Sequence, residues 1–303
     1  MEITEMTLED LEQMKNTLYS DFDNFWSYNV LKQELVNDKT KYIIAKEKNE
    51  VVGFAGISVI FDEATLNNIV VKKSCRGKGI GGEMLETLID LCSDMNLKTF
   101  TLEVNVENTP AIKLYEKFGF TKLCDRIMYR AESLGKNPIQ SIDDINLDAL
   151  DRIYERRTRE TLHIRRTRPD WKKLLSELAV GIGGYAAIAE DSYCFAFYYK
   201  GGFEVYEKCG EFDFKPVRRE PFMVRITDVE KFLKIFCKNF PDNVSVAVTD
   251  EFIPQNNGRF IISDGSVIRC DKADNTASDF NFTVSELCRF ALADKPIFVG
   301  NII

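Results

Sequence analysis

Histidine is almost missing from this chain: His163 is the only one in 303 residues. It lies in an arginine-rich run, so a Ser-His-Asp triad is excluded and a surface or interface position is expected for it. The eight cysteines include no Cys-x-x-Cys pair and no cluster. A zinc site needs such pairs or several histidines, so no metal is expected. The scattered cysteines read as free thiols in a reducing compartment. Long apolar runs are missing as well. The longest, Val51 to Phe61, has eleven residues, too few to span a bilayer. The start, MEITEMTLED, is acidic and lacks a signal-peptide pattern. A cytoplasmic protein without membrane contact is expected.

Positive charge is in short supply, with 40 Lys and Arg against 48 Asp and Glu, a net charge of −8. An acidic surface favours a cationic amine by long-range attraction. Residues 152–173 run the other way, with 9 basic and 3 acidic side chains. Such a stretch raises a nucleic-acid patch. Glu155, Glu160 and Asp170 interrupt it, and no aromatic-basic RNA motif accompanies it. A solvated helix face or a contact with the acidic halves is the reading preferred, and nucleic acid is not expected as a partner.

The chain is organised around Cys75 to Gly82, CRGKGIGG. A strand-like run, Ala64 to Val71, precedes it, and a helix-like run, Glu83 to Ser93, follows. Glycine tolerates unusual dihedrals and lets a ligand approach the backbone. The first NH groups of a helix have no partner within it and sit at the positive end of its dipole. Arg76 and Lys78 add charge. The stretch is predicted to cradle a phosphate. It is not a P-loop, since no Gly-Lys-Ser/Thr closes it, and RGKGIG lacks the three-glycine dinucleotide spacing.

Around this loop the pattern predicts helices over Thr7–Ser20, capped by Thr7, and over Phe25–Val36. Lys41–Lys46 and Val51–Phe61 read as a hairpin. Lys98–Val106 alternates as a strand. Asn108–Phe118 reads as a helix with Asn108 as N-cap, Pro110 in its first turn and Gly119 as C-cap. Phe120–Arg130 returns as strand. One mixed sheet with helices on both faces follows from this order.

The order Arg76-x-x-Gly79-x-Gly81 between strand and helix resembles the acetyl-CoA pyrophosphate loop of GNAT acetyltransferases. NVENTPAIKLYEKFGF, Asn105 to Phe120, resembles the Asn-x-x-Ala-x-x-Leu-Tyr-x-x-x-Gly-Phe segment of the branch that acetylates protein N-termini on the ribosome. The resemblance covers residues 1–131 and implies a GNAT sheet with acetyl-CoA as co-substrate. It implies main-chain contacts from Ile69, Val70 and Val71 to the thioester arm. It places Arg76, Gly77, Lys78, Gly79, Ile80, Gly81 and Gly82 at the diphosphate, and Asn108 and Ala111 at the pantetheine. It makes Tyr115 the general acid; the other reading is a tyrosine packed beside Phe118 and Phe120. Glu103 would act through water as general base; the other reading is a salt-bridged or edge-exposed glutamate. Phe22, Phe25, Trp26 and Tyr28 lie where such enzymes bind the acceptor, although core packing accounts for most of them.

In the second half, residues 132–143 read as a linker with Gly135 and Pro138. A charged helix is predicted over Asp144–Leu162. Gly184–Glu190, Ser192–Lys200 and Phe203–Cys209 read as a three-stranded meander. A strand and helix follow over Phe222–Phe236, then alternating strands with turns at Asn257-Gly258 and Asp264-Gly265, and a helix over Thr283–Leu292. Val224-Arg225-Ile226-Thr227-Asp228-Val229, Val248-Thr249-Asp250 and Asn257-Gly258-Arg259 resemble the sterol-carrier-protein-like module of the enhanced intracellular survival acetyltransferases. The fold class expected is α+β or α/β. It comprises a GNAT domain over 1–131, a shortened GNAT-like middle segment over 144–215 and a sterol-carrier-protein-like α+β domain over 216–303. In that family the C-terminal carboxylate reaches the active site; the short tail here does not support that role for Ile303.

The function expected is an acetyl-CoA-dependent N-acetyltransferase acting on a small-molecule amine or a peptide N-terminus by direct attack in a ternary complex. The alternative is a non-catalytic acyl-CoA or lipid-binding protein, and a third reading is an RNA-associated modifier using the arginines. A homo-oligomer is left open.

Overall fold

A computed structural model describes residues 1–22, 26–133, 145–161, 166–181, 184–199, 201–270 and 277–292. Phe25, Gly135, Pro138, His163, Arg165 and the tail through Ile303 lie outside the described residues. The elements run β1 (Glu2–Glu5), α1 (Leu8–Met14), α2 (Tyr28–Leu35), β2 (Thr40–Glu47), β3 (Glu50–Ile60), β4 (Glu63–Val71), α3 (Ile80–Asp94), β5 (Thr99–Glu103), α4 (Thr109–Lys117) and β6 (Thr121–Ala131). The middle of the chain adds α5 (Leu147–Thr158), α6 (Arg168–Gly181), β7 (Gly184–Ile188), β8 (Tyr193–Tyr199) and β9 (Gly202–Cys209). The remainder forms β10 (Lys215–Ile226), α7 (Val229–Phe236), β11 (Val244–Thr249), β12 (Gly258–Ser263), β13 (Ser266–Cys270), β14 (Phe280–Thr283) and α8 (Val284–Leu292). This is a mixed α/β fold of sheets flanked by helices.

Two compact units result, one of residues 1–123 with 222–292 and one built on 124–221. In the first, the strands follow the order β1-β2-β3-β4-β5, and Phe222–Ile226 of β10 then pairs antiparallel with Glu103–Thr99. Alternation sends successive side chains to opposite faces. Ile43, Ala45, Ala55 and Ile57 pack with Met84, Leu85 and Leu88 of α3 on one face. Tyr42, Ile44 and Phe54 pack with Leu11, Met14 and Leu31 of α1 and α2 on the other.

Thr7 caps α1 through a capping box with Asp10. The helix expected over Thr7–Ser20 ends at Met14, because the Thr17 NH and hydroxyl both return to the Met14 carbonyl, at 2.9 and 3.2 Å. The following helix starts at Tyr28 under a Ser27 cap. β1 and β14, four residues each, are too short for periodicity to reveal.

The C-terminal residues of this unit enclose a buried ion pair that packs against its first part. Arg225 donates from Nη2 to both Asp250 carboxylate oxygens, at 2.7 and 3.0 Å, with both side chains fully buried. Asp250 also accepts from the NH groups of Phe252 and Ile253 and from Asn256 Nδ2. Arg225 Nε and Nη1 have no hydrogen-bond partner. Instead the guanidinium lies over the Phe252 ring and against Gly119, at the negative end of α4. A Cβ at Gly119, whose φ is +83°, would stand 2.2 Å from Nη1. Gly119 therefore serves both as the left-handed helix stop and as room for the arginine. Thr227 Oγ1 donates to the Leu97 carbonyl, and Ser285 Oγ to that of Gly119. The expected turn at Asp264-Gly265 has both residues at positive φ. β11 and β12, by contrast, are joined across a longer loop in which Asn257 holds the main chain of Asp250.

In the second unit the strands follow β6-β9-β8-β7. α5 and α6 bury Leu150, Tyr154, Trp171 and Leu175 against Tyr193 and Phe195. Four arginines of the basic stretch, Arg156, Arg157, Arg166 and Arg168, meet carboxylates. Arg166 forks onto Glu207 at 2.5 and 2.6 Å, and Arg157 reaches Asp191 at 2.6 Å. Arg156 also pairs with Asp191. The contact units divide the chain differently from the sequence segments, since β10 runs through residues 215 and 216 and ends in the first unit.

Breaking a buried pair leaves an uncompensated charge, so Arg225→Ala is expected to cost about 3–5 kcal/mol of stability. Gly119→Ala should also be destabilising. Urea denaturation of the purified variants measures both, and an Arg225→Ala chain as stable as the parent would remove the pair from this role.

Candidate active site

β4 and β5 are parallel neighbours for three residue pairs only: Glu63 with Thr99, Ala64 with Phe100 and Thr65 with Thr101. Thr101 Oγ1 donates to the Ala64 carbonyl at 3.1 Å and lies 3.0 Å from Thr65 Oγ1, tying the strands at that point. Beyond it β4 continues to Val71 and β5 to Glu103 without further pairing to each other. The strands part as a fork, and the main chain of β4 from Leu66 onward is left without β5 as a ladder partner. β4 also carries a bulge there: Gly56 of β3 pairs with Asn68 and Ile57 with Leu66, so Asn67 is the extra residue. Bulges of this kind are over-represented beside active sites. The side chains of Ile69 and Val71 pack towards α3, and that of Val70 towards α1 and α2. Only their backbone is left for a ligand.

β4 leads through a short turn to the glycine stretch and α3. Gly79 is the N-cap of α3 at φ +88°, and Gly77 has φ +77°. Nothing lies within 4 Å of a Cβ built at either. These two glycines are required by their dihedrals, and the space before them is open. At Gly81 and Gly82 a Cβ would meet only ordinary contacts of 3.6–3.8 Å. The NH groups of Gly82 and Glu83 return to the Gly79 carbonyl at 2.8 and 3.1 Å and begin the helix; those ahead of them precede its ladder. Ile80 is buried and anchors the turn, while Lys78 is exposed. Arg76 donates to the carbonyls of Val71 and Phe22, at 3.1 and 3.4 Å. It braces the loop against β4 and the segment after α1.

Asn108 caps α4 by accepting from the Ala111 NH at 3.4 Å, and Ala111 packs partly against the α3-side core. Tyr115 is 5% exposed, with its ring 5.8 Å from that of Phe120. Burial pushes its phenol up to about 12. Glu103 is exposed at the end of β5, between buried Leu102 and Val104, as alternation predicts. Phe22 packs on Phe54, and the Tyr28 hydroxyl donates to Glu12. Trp26 packs into the α1/α2-side core. No group of three or more metal-ligating side chains occurs among the described residues.

Sequence reasoning passed over a polar group on the α1/α2 side of the fork. Ser58 Oγ donates to Asn67 Oδ1 at 2.9 Å, and Asn67 Nδ2 lies 3.5 Å from Glu34 Oε2. Tyr42 and Asn68 are buried beside them. Two adjacent asparagines inside an otherwise apolar strand were the available cue.

Residues 6–120 match the Acetyltransferase (GNAT) family. The ribosomal protein bS18-alanine N-acetyltransferase of Haemophilus influenzae is 35% identical over 112 residues, which are 36% of this chain and 74% of that one. A GCN5-related N-acetyltransferase from Kribbella flavida matches 93% of this chain and 87% of its own at TM-score 0.65 and 14% identity. Eis1 from Mycobacterium abscessus matches 96% and 89% at TM-score 0.61 and 16% identity. These two likenesses are of fold alone.

The glycines separate backbone strain from ligand access. Gly79→Ala should lose roughly 1 kcal/mol of stability, from placing a Cβ at positive φ. Gly81→Ala should leave stability unchanged, and it should weaken binding of coenzyme A if the loop approaches a diphosphate closely. Thermal melts paired with calorimetric titration of coenzyme A read the two effects apart.

Proposed function

This chain belongs to the GNAT acetyltransferase family and is an acyltransferase, and from that premise we propose that it moves an acetyl group from acetyl-CoA to a primary amine by direct attack in a ternary complex. The observation that carries the reading is the fork between β4 and β5, with a helix-capping glycine turn beyond its wide end. The open space before Gly77 and Gly79 and the β4 main chain without β5 beside it fit a diphosphate followed by an extended arm.

The chain's own residues divide the work. Gly77 to Gly82 hold the diphosphate through main-chain NH groups, with Lys78 supplying charge and Arg76 fixing the loop. The backbone of Ile69, Val70 and Val71 aligns the pantetheine arm, and Asn108 and Ala111 border it at the start of α4. Holding both reactants in one geometry supplies much of the rate. Tyr115 donates a proton to the departing thiolate. Its buried phenol stays protonated across the neutral range, as a donor must. Glu103, exposed at the fork, takes the proton of the incoming ammonium through water. A peptide amino terminus beginning with alanine is the first acceptor to try, by likeness to the Haemophilus enzyme. We also propose that residues 1–131, 144–215 and 216–303 are the modules from which the chain was assembled, joined by 132–143.

Neither rival reading gains from the described residues. The C-terminal sheet buries Val246, Val248, Phe260 and Ile262, and Arg156, Arg157 and Arg166 are engaged by Asp191 and Glu207.

Tyr115→Phe should lower kcat about 100-fold or more, with the acetyl-CoA KM little changed. With the phenol raised to about 12, loss of its proton should produce no falling limb in the parent's pH–rate profile below about pH 11. Release of free thiol from acetyl-CoA, followed against pH with an amine panel, measures both. Parent-like turnover in the variant would strip Tyr115 of the role.

A further inference from the structure

Tyr42, Gly56 and Asn68 stand side by side across β2, β3 and β4: Tyr42 pairs with Gly56, and Gly56 with Asn68. The tyrosine ring lies across the glycine, where a Cβ would be 2.2 Å from ring carbons. Gly56 thus lets the phenol reach over β3 towards β4. There Tyr42 Oη, Asn68 Oδ1 and Asn68 Nδ2 are all buried and have no hydrogen-bond partner. Tyr42 is 3% exposed and Asn68 6%. Three orphan polar atoms in one row are not what a finished core contains, since buried polar groups are nearly always paired. The phenol lies near both asparagine amides and feels the Glu34 carboxylate, without a well-formed hydrogen bond to any of them.

Glu34 of α2 overlooks this row. It is half-buried, and Asn67 Nδ2 approaches it at 3.5 Å. Burial raises its carboxyl above the ordinary range, and no cation pairs with it among the described residues. The row lies on the α1/α2 face, opposite α3. It adjoins the bulge, on the part of β4 that runs free of β5. The row therefore borders the open stretch of the fork from the side away from α3.

We propose that Glu34, Tyr42 and Asn68 form the subsite for the acceptor's primary ammonium, a reading that rests on the acetyltransferase function above. The chemistry matches in number and sign. A primary ammonium carries three N–H donors, and the row offers the Glu34 carboxylate, Asn68 Oδ1 and Tyr42 Oη as acceptors; the hydrogen bond to the neutral phenol oxygen is the one given up when a proton passes through water to Glu103. The half-buried carboxylate lacks the one thing a water molecule cannot supply, a compensating positive charge. Asn68 Nδ2 is left to donate to a carbonyl, as the first peptide group of an N-terminal residue provides. Glu34, Tyr42 and Asn68 are assigned here to binding and positioning; proton removal stays with Glu103.

The test uses the full chain, acetyl-CoA and alanyl-glycyl-glycine, with hydroxylamine as a nucleophile that is mostly uncharged at neutral pH. Glu34→Gln is expected to raise the KM for the peptide about tenfold or more, leaving the acetyl-CoA KM and the hydroxylamine rate unchanged. Tyr42→Phe removes an orphan hydroxyl, so its melting temperature should equal or exceed the parent's while its peptide KM rises. That pairing of equal or better folding with worse acceptor binding is not what a purely structural tyrosine gives. Parent-like peptide KM in both variants overturns the subsite while the enzyme reading stands. A parent protein that acetylates no primary amine at all brings down both, and the two failures differ in whether thiol is released by the unmodified chain.

Discussion

β5 is fixed from both edges by partners of unequal reach, and the rest of the unit depends on that arrangement. On one edge β4 holds it for three residues and then leaves. On the other, Phe222 to Ile226 pairs along its whole length. Without the second partner, a strand with so little pairing on its first side would have a long unsatisfied edge. The late strand therefore frees β4 to diverge. Divergence leaves the β4 main chain without β5 beside it, the stretch proposed above for the acyl arm, and β5 ends at Glu103, ahead of the helix that carries Tyr115.

Arg225 explains why that late strand stays in place. Its guanidinium is taken fully out of water, at a desolvation cost that only a saturated partner can offset. Asp250 is such a partner, with two main-chain NH groups and Asn256 filling the lone pairs that Arg225 leaves. The arginine itself is not saturated, and the end of α4 and the Phe252 ring stand in for the missing acceptors. The same residue thus ties β10, the loop after β11 and the helix carrying Tyr115 into one core.

Local chemistry made much of this readable beforehand. The glycine loop, the Asn108 cap, the Gly119 stop and the meander each follow from a few adjacent residues, and each is found where the pattern puts it. The motif around Arg225 and Asp250 was visible as a resemblance, but its cause, a buried network, needs two segments brought together and cannot be seen in either alone. The fork was illegible for the same reason: both strands look regular, and what matters is where their pairing stops. The Tyr42–Gly56–Asn68 row is read across three strands, so no window along the chain contains it. Tyr115 shows the other limit, since packing and catalysis both call for a buried tyrosine after Leu114.

The pairing of β5 with Phe222–Ile226 also sets an order of events during synthesis. When the ribosome has delivered Tyr115, every side chain assigned to acetyl transfer has already emerged, yet β5 still waits for its second neighbour. Contacts this distant in the chain form slowly and last, and an open sheet edge invites the wrong partner in the meantime. The frame around the groups proposed for acetyl transfer is therefore completed by residues in the final third of the sequence.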